Sequence, residues 1–242
     1  MKAIEIKGLT KKYKDVTAVN ELELSIEEGE LFSLLGVNGA GKTTLIKMLS
    51  CLSEATSGEA YLFGKSIRTE SNSIKPIIAI SPQETAVAPG LTVKENLDLI
   101  CGAHGFSKEK REEKIKNLTE LLGLDSVIKK KAGKLSGGWQ RRLSIAMALI
   151  SEPKILFLDE PTLGLDVIAR SDLWDIIRAL RGKVTIILTT HYMEEAEALS
   201  DRIAIMKDGK ILLCDTPANI KEITGAKSIE DAFIRIVKEW IR

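Results

Sequence analysis

Leu31-Phe32-Ser33-Leu34-Leu35 runs directly into Gly36-Val37-Asn38-Gly39-Ala40-Gly41-Lys42-Thr43. The first five residues are mostly apolar, as in a strand that is buried on both faces. The next eight fit the pattern G-x-x-x-x-G-K-[ST] at every position. Glycines allow backbone angles at which successive amide N–H groups point at one anion, and a helix predicted over residues 44–52 directs its positive end at the same place. The stretch therefore predicts a strand, a phosphate-binding loop and a helix.

The loop also carries the side chains that nucleotide binding needs. Lys42 reaches the β- and γ-phosphates, and the Thr43 hydroxyl is suited to ligate Mg²⁺. The alternative, a glycine-rich turn with a fortuitous lysine, does not explain the strand before the loop and the helix after it. We expect Mg-ATP to bind here. The predicted contacts are Gly36, Val37, Asn38, Gly39, Ala40, Gly41, Lys42, Thr43 and Thr44.

A second apolar run ends in two acids. Residues 155–158 are followed by Asp159 and Glu160, and ligands of α/β sheets lie at the carboxyl ends of the strands. Asp159 is predicted to hold Mg²⁺ through water, because Mg²⁺ keeps much of its hydration shell. Glu160 is then placed to polarise a water for attack on the γ-phosphate. The alternative is an acidic strand end that only faces solvent.

A second anion site is predicted at Ser136-Gly137-Gly138, which follow Leu135 and precede a helical pattern. A serine and two glycines at the start of a helix suit an anion. One ATP cannot easily use both anion sites within one compact chain. A symmetric head-to-tail pair solves this, because each chain then offers Ser136 to the ATP on the other chain's Lys42 loop.

The remaining patterns predict an α/β fold. The chain has 242 residues, 44% of them hydrophobic, enough for one large domain with a packed core. Residues 1–30 and 60–63 alternate as in an antiparallel sheet, and Asp208-Gly209 joins two apolar runs as a hairpin. Residues 90–150 are predicted to be helical, and two further helices follow Pro217.

The charge, the cysteine content and the lack of long apolar runs argue against several classes of protein. There are 35 Lys+Arg and 34 Asp+Glu, a formal charge of +1, without the basic excess of a dedicated nucleic-acid binder. Three scattered cysteines (Cys51, Cys101 and Cys214) indicate neither a disulfide framework nor a zinc site, and they suit a reducing compartment. No signal-peptide centre is visible, and no run approaches the roughly 20 apolar residues that span a bilayer.

With these motifs in this order and spacing, the chain resembles the ATP-binding cassette (ABC) family, specifically the nucleotide-binding subunits of its transporters. The resemblance covers nearly the whole length and adds Gln83, the Gly164-Leu165-Asp166 turn and His191 to the motifs above. It implies a P-loop NTPase core over residues 1–88 and 151–216 with an antiparallel β layer. It also implies a helical subdomain over residues 89–150 and a helical tail over residues 217–242.

The resemblance assigns further roles at the chain's own nucleotide. Tyr13 is similar to the aromatic residue that stacks on adenine; otherwise it is a surface tyrosine. Gln83 resembles the glutamine that touches Mg²⁺ and links the core to the helical part; otherwise it is an ordinary loop residue. His191 resembles the switch histidine that hydrogen-bonds the γ-phosphate, although a lone histidine after a strand is weak evidence by itself.

Other roles concern a partner subunit. Ser136, Gly137 and Gly138 resemble the groups that close on the partner's γ-phosphate, and Asp166 resembles the aspartate that crosses the dimer interface. The sequence departs from the family at Trp139, where glutamine is usual. The serine and glycines that contact the anion are intact, so activity is expected.

Three segments (residues 190–197, 201–206 and 228–233) resemble the bacterial drug-exporter branch, although the last also fits a plain amphipathic helix. The resemblance implies a homo- or heterodimer of ATP-binding subunits on the inner face of the cell membrane. Separate integral membrane permease subunits are expected to dock between Gln83 and Leu135, and no nucleic acid is expected. The alternatives are a soluble ABC ATPase of DNA repair or translation, and a nucleotide sensor without turnover.

Overall fold

The computed structural model describes residues 1–240, and the chain divides into two compact units. Unit 1 comprises Met1–Lys75 together with the chain from Arg181 onward, and unit 2 comprises Pro76–Leu180. Among the described residues, no helix is both long enough and apolar enough to cross a membrane.

Strands and helices are interspersed along the chain. The strands are β1 (Lys2–Tyr13), β2 (Val16–Glu27), β3 (Leu31–Leu35), β4 (Ser57–Leu62), β5 (Lys65–Ser66), β6 (Ile78–Ser81), β7 (Ile155–Asp159), β8 (Thr185–Thr190), β9 (Arg202–Lys207) and β10 (Lys210–Asp215). The helices are α1 (Lys42–Leu49), α2 (Ser71–Ile74), α3 (Val93–Ala103), α4 (Lys108–Leu121), α5 (Gly137–Leu149), α6 (Val167–Leu180), α7 (Met193–Leu199), α8 (Pro217–Thr224) and α9 (Ile229–Trp240). Short 3-10 turns occupy Lys75–Ile77, Asp125–Val127 and Ala132–Lys134.

Unit 1 contains the predicted antiparallel layer. β1 pairs with β2 on one side and with β4 on the other, so that Ile6 lies opposite both Leu24 and Ala60. Buried and exposed residues alternate along much of β2, as expected of a sheet with one buried face. The interpretation of residues 1–30 and 60–63 as one antiparallel layer is confirmed.

Unit 1 also contains parallel strands. β3 runs parallel to β8 and to β9, with Leu35 opposite Thr190 on one side and Ile205 on the other. Every residue of β3 and β8 is buried, which explains why their sequences consist mainly of apolar and β-branched residues. β9 and β10 form the predicted hairpin through Asp208-Gly209.

The two helices predicted after Pro217 are present. Thr216 caps α8 by accepting from the Asn219 amide, and Gly225 ends the helix in the left-handed conformation, which glycine adopts without strain. Ile229 and Phe233 of α9 are buried with Ile205 of β9. Residues 241–242 of the predicted tail lie outside the described residues.

Unit 2 contains the parallel pair β6–β7, in which Ser81 lies opposite Leu158, and helices α3 to α6. α3 begins in a capping box, since Thr92 accepts from the Glu95 amide and Glu95 accepts from the Thr92 amide, which satisfies two orphan donors. Helices α3, α4 and α5 confirm the helical interpretation of residues 90–150. The domain boundaries predicted at residues 88/89 and 150/151 stay a prediction.

The first predicted helix was misplaced at both ends. It was expected over residues 44–52, whereas α1 spans Lys42–Leu49 with Ser50 at its end. Lys42 and Thr43 already have helical geometry, because the last turn of the phosphate loop is also the first turn of the helix. Cys51 then takes a left-handed angle of φ 59°, which no helix continues through.

Candidate nucleotide-binding site

The phosphate loop is shaped by two glycines that pack against backbone. A β-carbon on Gly36 would lie 2.5 Å from the Met206 carbonyl oxygen, and one on Gly41 would overlap the Ala18 carbonyl oxygen. Gly41 also has a φ of +103°, in the region that only glycine occupies at low cost. Gly36, Ala40 and Lys42 are buried, Gly41, Thr43 and Thr44 are partly exposed, and Val37, Asn38 and Gly39 are exposed.

Lys42 is folded over its own loop. Its side chain is 5% exposed, and Nζ donates to the Gly36 carbonyl at 2.6 Å and to the Val37 carbonyl at 3.4 Å. The loop is tied to the β9–β10 turn, since the Gly209 amide donates to the Ala40 carbonyl at 3.1 Å. Because anionic phosphate oxygens are stronger acceptors than neutral carbonyls, a bound nucleotide can take over the lysine's hydrogen bonds.

His191 follows β8 at the same sheet edge at which the phosphate loop follows β3. β3 ends at Leu35 and β8 at Thr190, and these residues lie opposite each other. The Gly36 amide donates to the Thr190 carbonyl at 3.3 Å, and the His191 ring lies 4.1 Å from the Tyr192 ring. Unit 1 thus brings together two motifs that are more than 150 positions apart, at the edge where α/β proteins bind ligands.

Tyr13, the predicted adenine contact, is the last residue of β1. Its ring is 47% exposed, and the Lys11 ammonium lies 4.9 Å from its centroid. An aromatic face in this setting can stack on a planar base. The adenine role stays a prediction.

In unit 2, the acidic pair and Gln83 follow neighbouring strands. β6 ends at Ser81 and β7 at Asp159, in the parallel register that pairs Ser81 with Leu158. Asp159 and Glu160 are each 6% exposed. Glu160 has a φ of +48°, an uncommon angle for a residue with a β-carbon that costs about 1–3 kcal/mol. This strained turn sets the direction of the Glu160 side chain.

The donor chemistry of these residues fits Mg²⁺. Carboxylate, amide and hydroxyl oxygens are the ligands that Mg²⁺ takes from protein, and it usually binds through one or two of them together with water and substrate phosphates. Within residues 1–240, no group of three or more His, Cys, Asp or Glu that could hold a metal occurs.

The second predicted anion site is the exposed start of α5. Ser136 is the N-cap and, among the described residues, its side chain makes no capping hydrogen bond. Ser136 and Gly137 are exposed and Gly138 is partly exposed. The first amides of a helix lack partners within the helix, so this end presents donors and a hydroxyl to an anion.

Asp166 lies next to this helix start. A β-carbon on Gly137 would touch the Leu165 side chain at 3.5 Å, and one on Gly138 would lie 3.0 Å from the Ala169 β-carbon. The Asp166 carboxylate accepts from the Ala169 amide at 2.9 Å and so caps α6. Unit 2 therefore brings together the two motifs that the sequence assigns to a subunit interface.

Trp139, the departure from the family pattern, packs on its own helix. The Arg142 guanidinium lies 4.7 Å from the Trp139 ring centroid and donates to Asp172 at 2.7 Å. Gln140 donates to the carbonyls of Ala132 and Leu135, at 3.2 Å in each case. The ring occupies the side of α5, and the backbone of the serine and glycines keeps a regular helix start.

Sequence reasoning missed two residues of α5. Arg141 donates to the carbonyls of Pro82 and Gln83, and Ser144 pairs with Ser81. Their spacing of three placed them on one helix face. Nothing in the sequence indicated that this face meets the segment that carries Gln83.

A phosphate loop between a buried parallel strand and a helix, and a second parallel strand that ends in two acids, define a P-loop NTPase. The chain belongs to the ABC transporter family, whose sequence profile, described as ABC transporter, matches residues 19–163. The predicted family, P-loop NTPase fold and ATPase class are confirmed.

Relatives come from bacteria and animals. The daunorubicin/doxorubicin resistance ATP-binding protein DrrA of Streptomyces peucetius is 38% identical over 93% of this chain and 68% of its own length. The probable multidrug ABC transporter ATP-binding protein YbhF of Escherichia coli is 37% identical over 98% of this chain, which spans 42% of that protein. The phospholipid-transporting ATPase ABCA3 of Homo sapiens is 41% identical over 92% of this chain, which spans 13% of that protein.

Solved structures agree with the family. An ATP-binding subunit of an ABC transporter superimposes with a TM-score of 0.85 at 26% identity, over 97% of this chain and 99% of the other. The ATP-binding cassette MJ0796, in a dimeric post-hydrolysis state bound to ADP and Pi, has a TM-score of 0.79 at 29% identity, over 88% and 98%. CbiO1 from Clostridium perfringens, part of the ABC transporter complex cbiONQ, has a TM-score of 0.85 at 26% identity, over 93% and 92%.

Proposed function

We propose that the chain is the ATP-hydrolysing subunit of an ABC transporter and that it works as a dimer, with an identical or a related ATP-binding partner. The observation that carries the proposal is the exposed start of α5. Ser136 and Gly137 present an anion site outward, while Lys42 is folded into a phosphate loop of its own. A second copy in head-to-tail orientation gives each site the other's missing half. The dimeric structure of MJ0796 with ADP and Pi supports a dimer.

The nucleotide steps follow from the residues. Lys42 and the amides of residues 36–43 bind the phosphates, and Tyr13 stacks on adenine. Thr43, Gln83 and, through water, Asp159 would hold Mg²⁺, which would neutralise charge that develops on the phosphates. Because Glu160 is nearly buried at a strained turn, it is held in one orientation to polarise the attacking water.

Closure then couples hydrolysis to transport. Ser136, Gly137 and Gly138 close on the partner's γ-phosphate, Asp166 crosses the interface and His191 senses the γ-phosphate. We infer that closure moves the helical segment over residues 89–150, and that separate integral membrane permease subunits dock between Gln83 and Leu135. Hydrolysis lets the dimer reopen.

The relatives indicate the direction of transport, and the supply of ATP indicates the side of the membrane. DrrA and YbhF, a drug-resistance and a probable multidrug protein, support an exporter. An ATP-driven subunit of this kind belongs on the cytoplasmic face of the membrane, because cellular ATP is supplied there.

The test is Glu160→Gln, which keeps the size of the side chain and removes its charge. We expect phosphate release to fall by at least about a hundredfold and ATP to trap a dimer detectable by light scattering. Glu222→Gln, at an exposed residue of α8, is the matched control and is expected to behave as wild type.

Two other outcomes would contradict the proposal. A wild-type chain that is inert with Mg-ATP, alone and with co-purified membrane subunits, would be a nucleotide sensor. Salt-sensitive binding to nucleic acid, without any membrane partner in a pull-down, would favour an ABC ATPase of DNA repair or translation.

A further inference from the structure

One face of α5 holds the segment that carries Gln83. The Ser144 hydroxyl oxygen lies 2.9 Å from that of Ser81. One turn earlier, Arg141 donates from Nη1 to the Pro82 carbonyl and from Nη2 to the Gln83 carbonyl, both at 2.5 Å. Two side chains on one helix turn therefore hold three successive residues, the last residue of β6 and the first two of the loop that follows it.

The side chains that make these contacts are buried. Arg141 and Ser144 are each 5% exposed, and Ser81 is fully buried. A guanidinium presents several N–H donors in a rigid plane, so that it can serve two carbonyls at once, whereas an ammonium is a point donor on a flexible stem. Buried polar groups that lose their partners are costly, and the segment therefore has little freedom to slide along the helix.

The far end of the same segment is tied to the loop that precedes α5. The Gly133 amide donates to the Pro89 carbonyl at 3.0 Å, and the Ala132 amide donates to the Leu91 carbonyl at 2.8 Å. A β-carbon on Gly133 would lie 3.0 Å from Pro89, so the two loop segments are in close contact. Gln140 of α5 in turn binds the Ala132 carbonyl.

Residues 81–91 and 132–144 thus form a frame that is closed at both ends. Gln83 lies at one corner and Ser136 at another, and Arg141 is the side chain that joins the Gln83 backbone to the helix that starts at Ser136. Its neighbour Arg142 does not take part, since it packs on Trp139 and binds Asp172.

We propose that Arg141 is a positioning residue that makes the Gln83 segment and the Ser136–Gly138 end of α5 move as one body. A shift imposed on Gln83, by its own nucleotide or by a docked subunit, is then delivered to the end of α5 that contacts the partner's ATP. The inference rests on the proposed function, which gives Gln83 and Ser136 their roles.

The test is Arg141→Lys, which keeps the charge and removes the two-carbonyl fork. Binding of a fluorescent ATP analogue is expected to stay within about twofold of wild type, because the phosphate loop lies in the other unit. The kcat is expected to fall roughly ten- to a hundredfold, the size of effect that a misplaced group produces. Arg178→Lys, at an arginine of α6 that pairs with Asp175 near the surface, is the matched control and should keep wild-type kcat.

Hydrogen exchange with ATP and Mg²⁺ provides the readout that a merely structural role would not move. In wild type, residues 81–91 and 135–140 should respond at the same ATP concentration. In Arg141→Lys, residues 81–91 should respond as before, while the response of residues 135–140 is lost or needs at least about tenfold more ATP. Melting temperatures of both variants show whether the fold is kept.

Each outcome decides one question. An inert wild type would refute the proposed function, whereas an active wild type with a fully active, fully coupled Arg141→Lys would refute the inference alone. If Arg141→Lys does not fold, Arg141→Gln, whose shorter amide cannot serve both carbonyls, provides the same measurement at the same contact. Joint exchange responses that remain unchanged in a folded Arg141→Gln would then overturn the proposal.

Discussion

The phosphate loop and the start of α5 are two predicted anion sites that are built in different ways. The loop over residues 36–43 is shaped from within, by glycine angles and by backbone contacts to Ala18 and Gly209. The start of α5 is exposed and is held from behind, by side chains further along its own helix such as Gln140 and Arg141. A site that serves its own chain can be encoded in one short stretch. A site that is offered to a partner must leave its surface clear, so its support comes from residues that never touch the ligand.

The largest effect is expected from a substitution that disturbs the close backbone packing of the phosphate loop. Gly41→Ala puts a methyl group into the Ala18 carbonyl at a φ of +103°. We expect the backbone strain to cost at least about 1–3 kcal/mol and nucleotide affinity to fall by roughly a hundredfold or more, about 2.7 kcal/mol. Titration with a fluorescent ATP analogue and urea denaturation measure the two losses.

Gly64→Ala is the matched control for that change. Gly64 has a φ of +76°, and a β-carbon there would meet nothing within 4 Å, so the substitution carries strain without a clash. It should lose some stability and keep nucleotide affinity. Equal losses of affinity in both variants would show that the contact with Ala18 does not shape the loop.

A smaller effect is expected where the start of α5 is supported from the side. Trp139→Ala removes the ring under the Arg142 guanidinium, a contact that contributes about 0.5–1 kcal/mol. We expect ATP-driven dimerisation and turnover to weaken about two- to fivefold, with unchanged nucleotide affinity. Trp139→Gln restores the residue usual in the family and should stay closer to wild type.

Trp174 provides the comparison, because Arg178 lies 5.9 Å from its ring on α6. Trp174→Ala removes a similar pair away from Ser136 and should leave dimerisation unaffected. A Trp139→Ala chain with wild-type dimerisation would mean that this packing does not support the anion site.

The smallest effect concerns the far end of α5. Lys114 of α4 pairs with Glu152, just beyond α5, at 2.6 Å, and its hydrogen bond lowers the pKa of Glu152. A lowered folded-state pKa stabilises the fold above the ordinary glutamate pKa of about 4.3, and the contribution is lost as pH falls through the folded-state value. Because the Glu152 side chain is 77% exposed, Glu152→Gln should cost no more than about 1 kcal/mol at pH 7.

Urea denaturation of wild type and Glu152→Gln at pH 7 and at pH 3.5 measures this contribution. The gap between the two proteins should narrow at the lower pH, since Glu152 of the unfolded chain is then largely protonated and part of the stabilisation from its lowered folded-state pKa is lost. A deficit of equal size at both values would assign the loss to packing and not to charge.

Sequence reasoning worked where the requirement is local. β3, the phosphate loop and β7 were all predicted, because buried parallel strands are short apolar runs and the loop needs glycines at set positions. The start of α1 was predicted two residues late, because the loop's own lysine and threonine are its first turn. The roles of Tyr13, Gln83, Asp166 and His191 stay predictions.

By itself the sequence predicted two anion-binding helix ends and an acidic strand end, since each is a contiguous stretch whose chemistry is set by residue type. Only the tertiary structure decided that His191 lies beside the start of the phosphate loop, because this depends on β8 lying next to β3. It also decided that Arg141 holds Gln83, because a buried arginine finds its acceptors only when α5 packs on the loop after β6. Contacts between residues far apart in the chain leave no local pattern, and it is these contacts that support the outward-facing site.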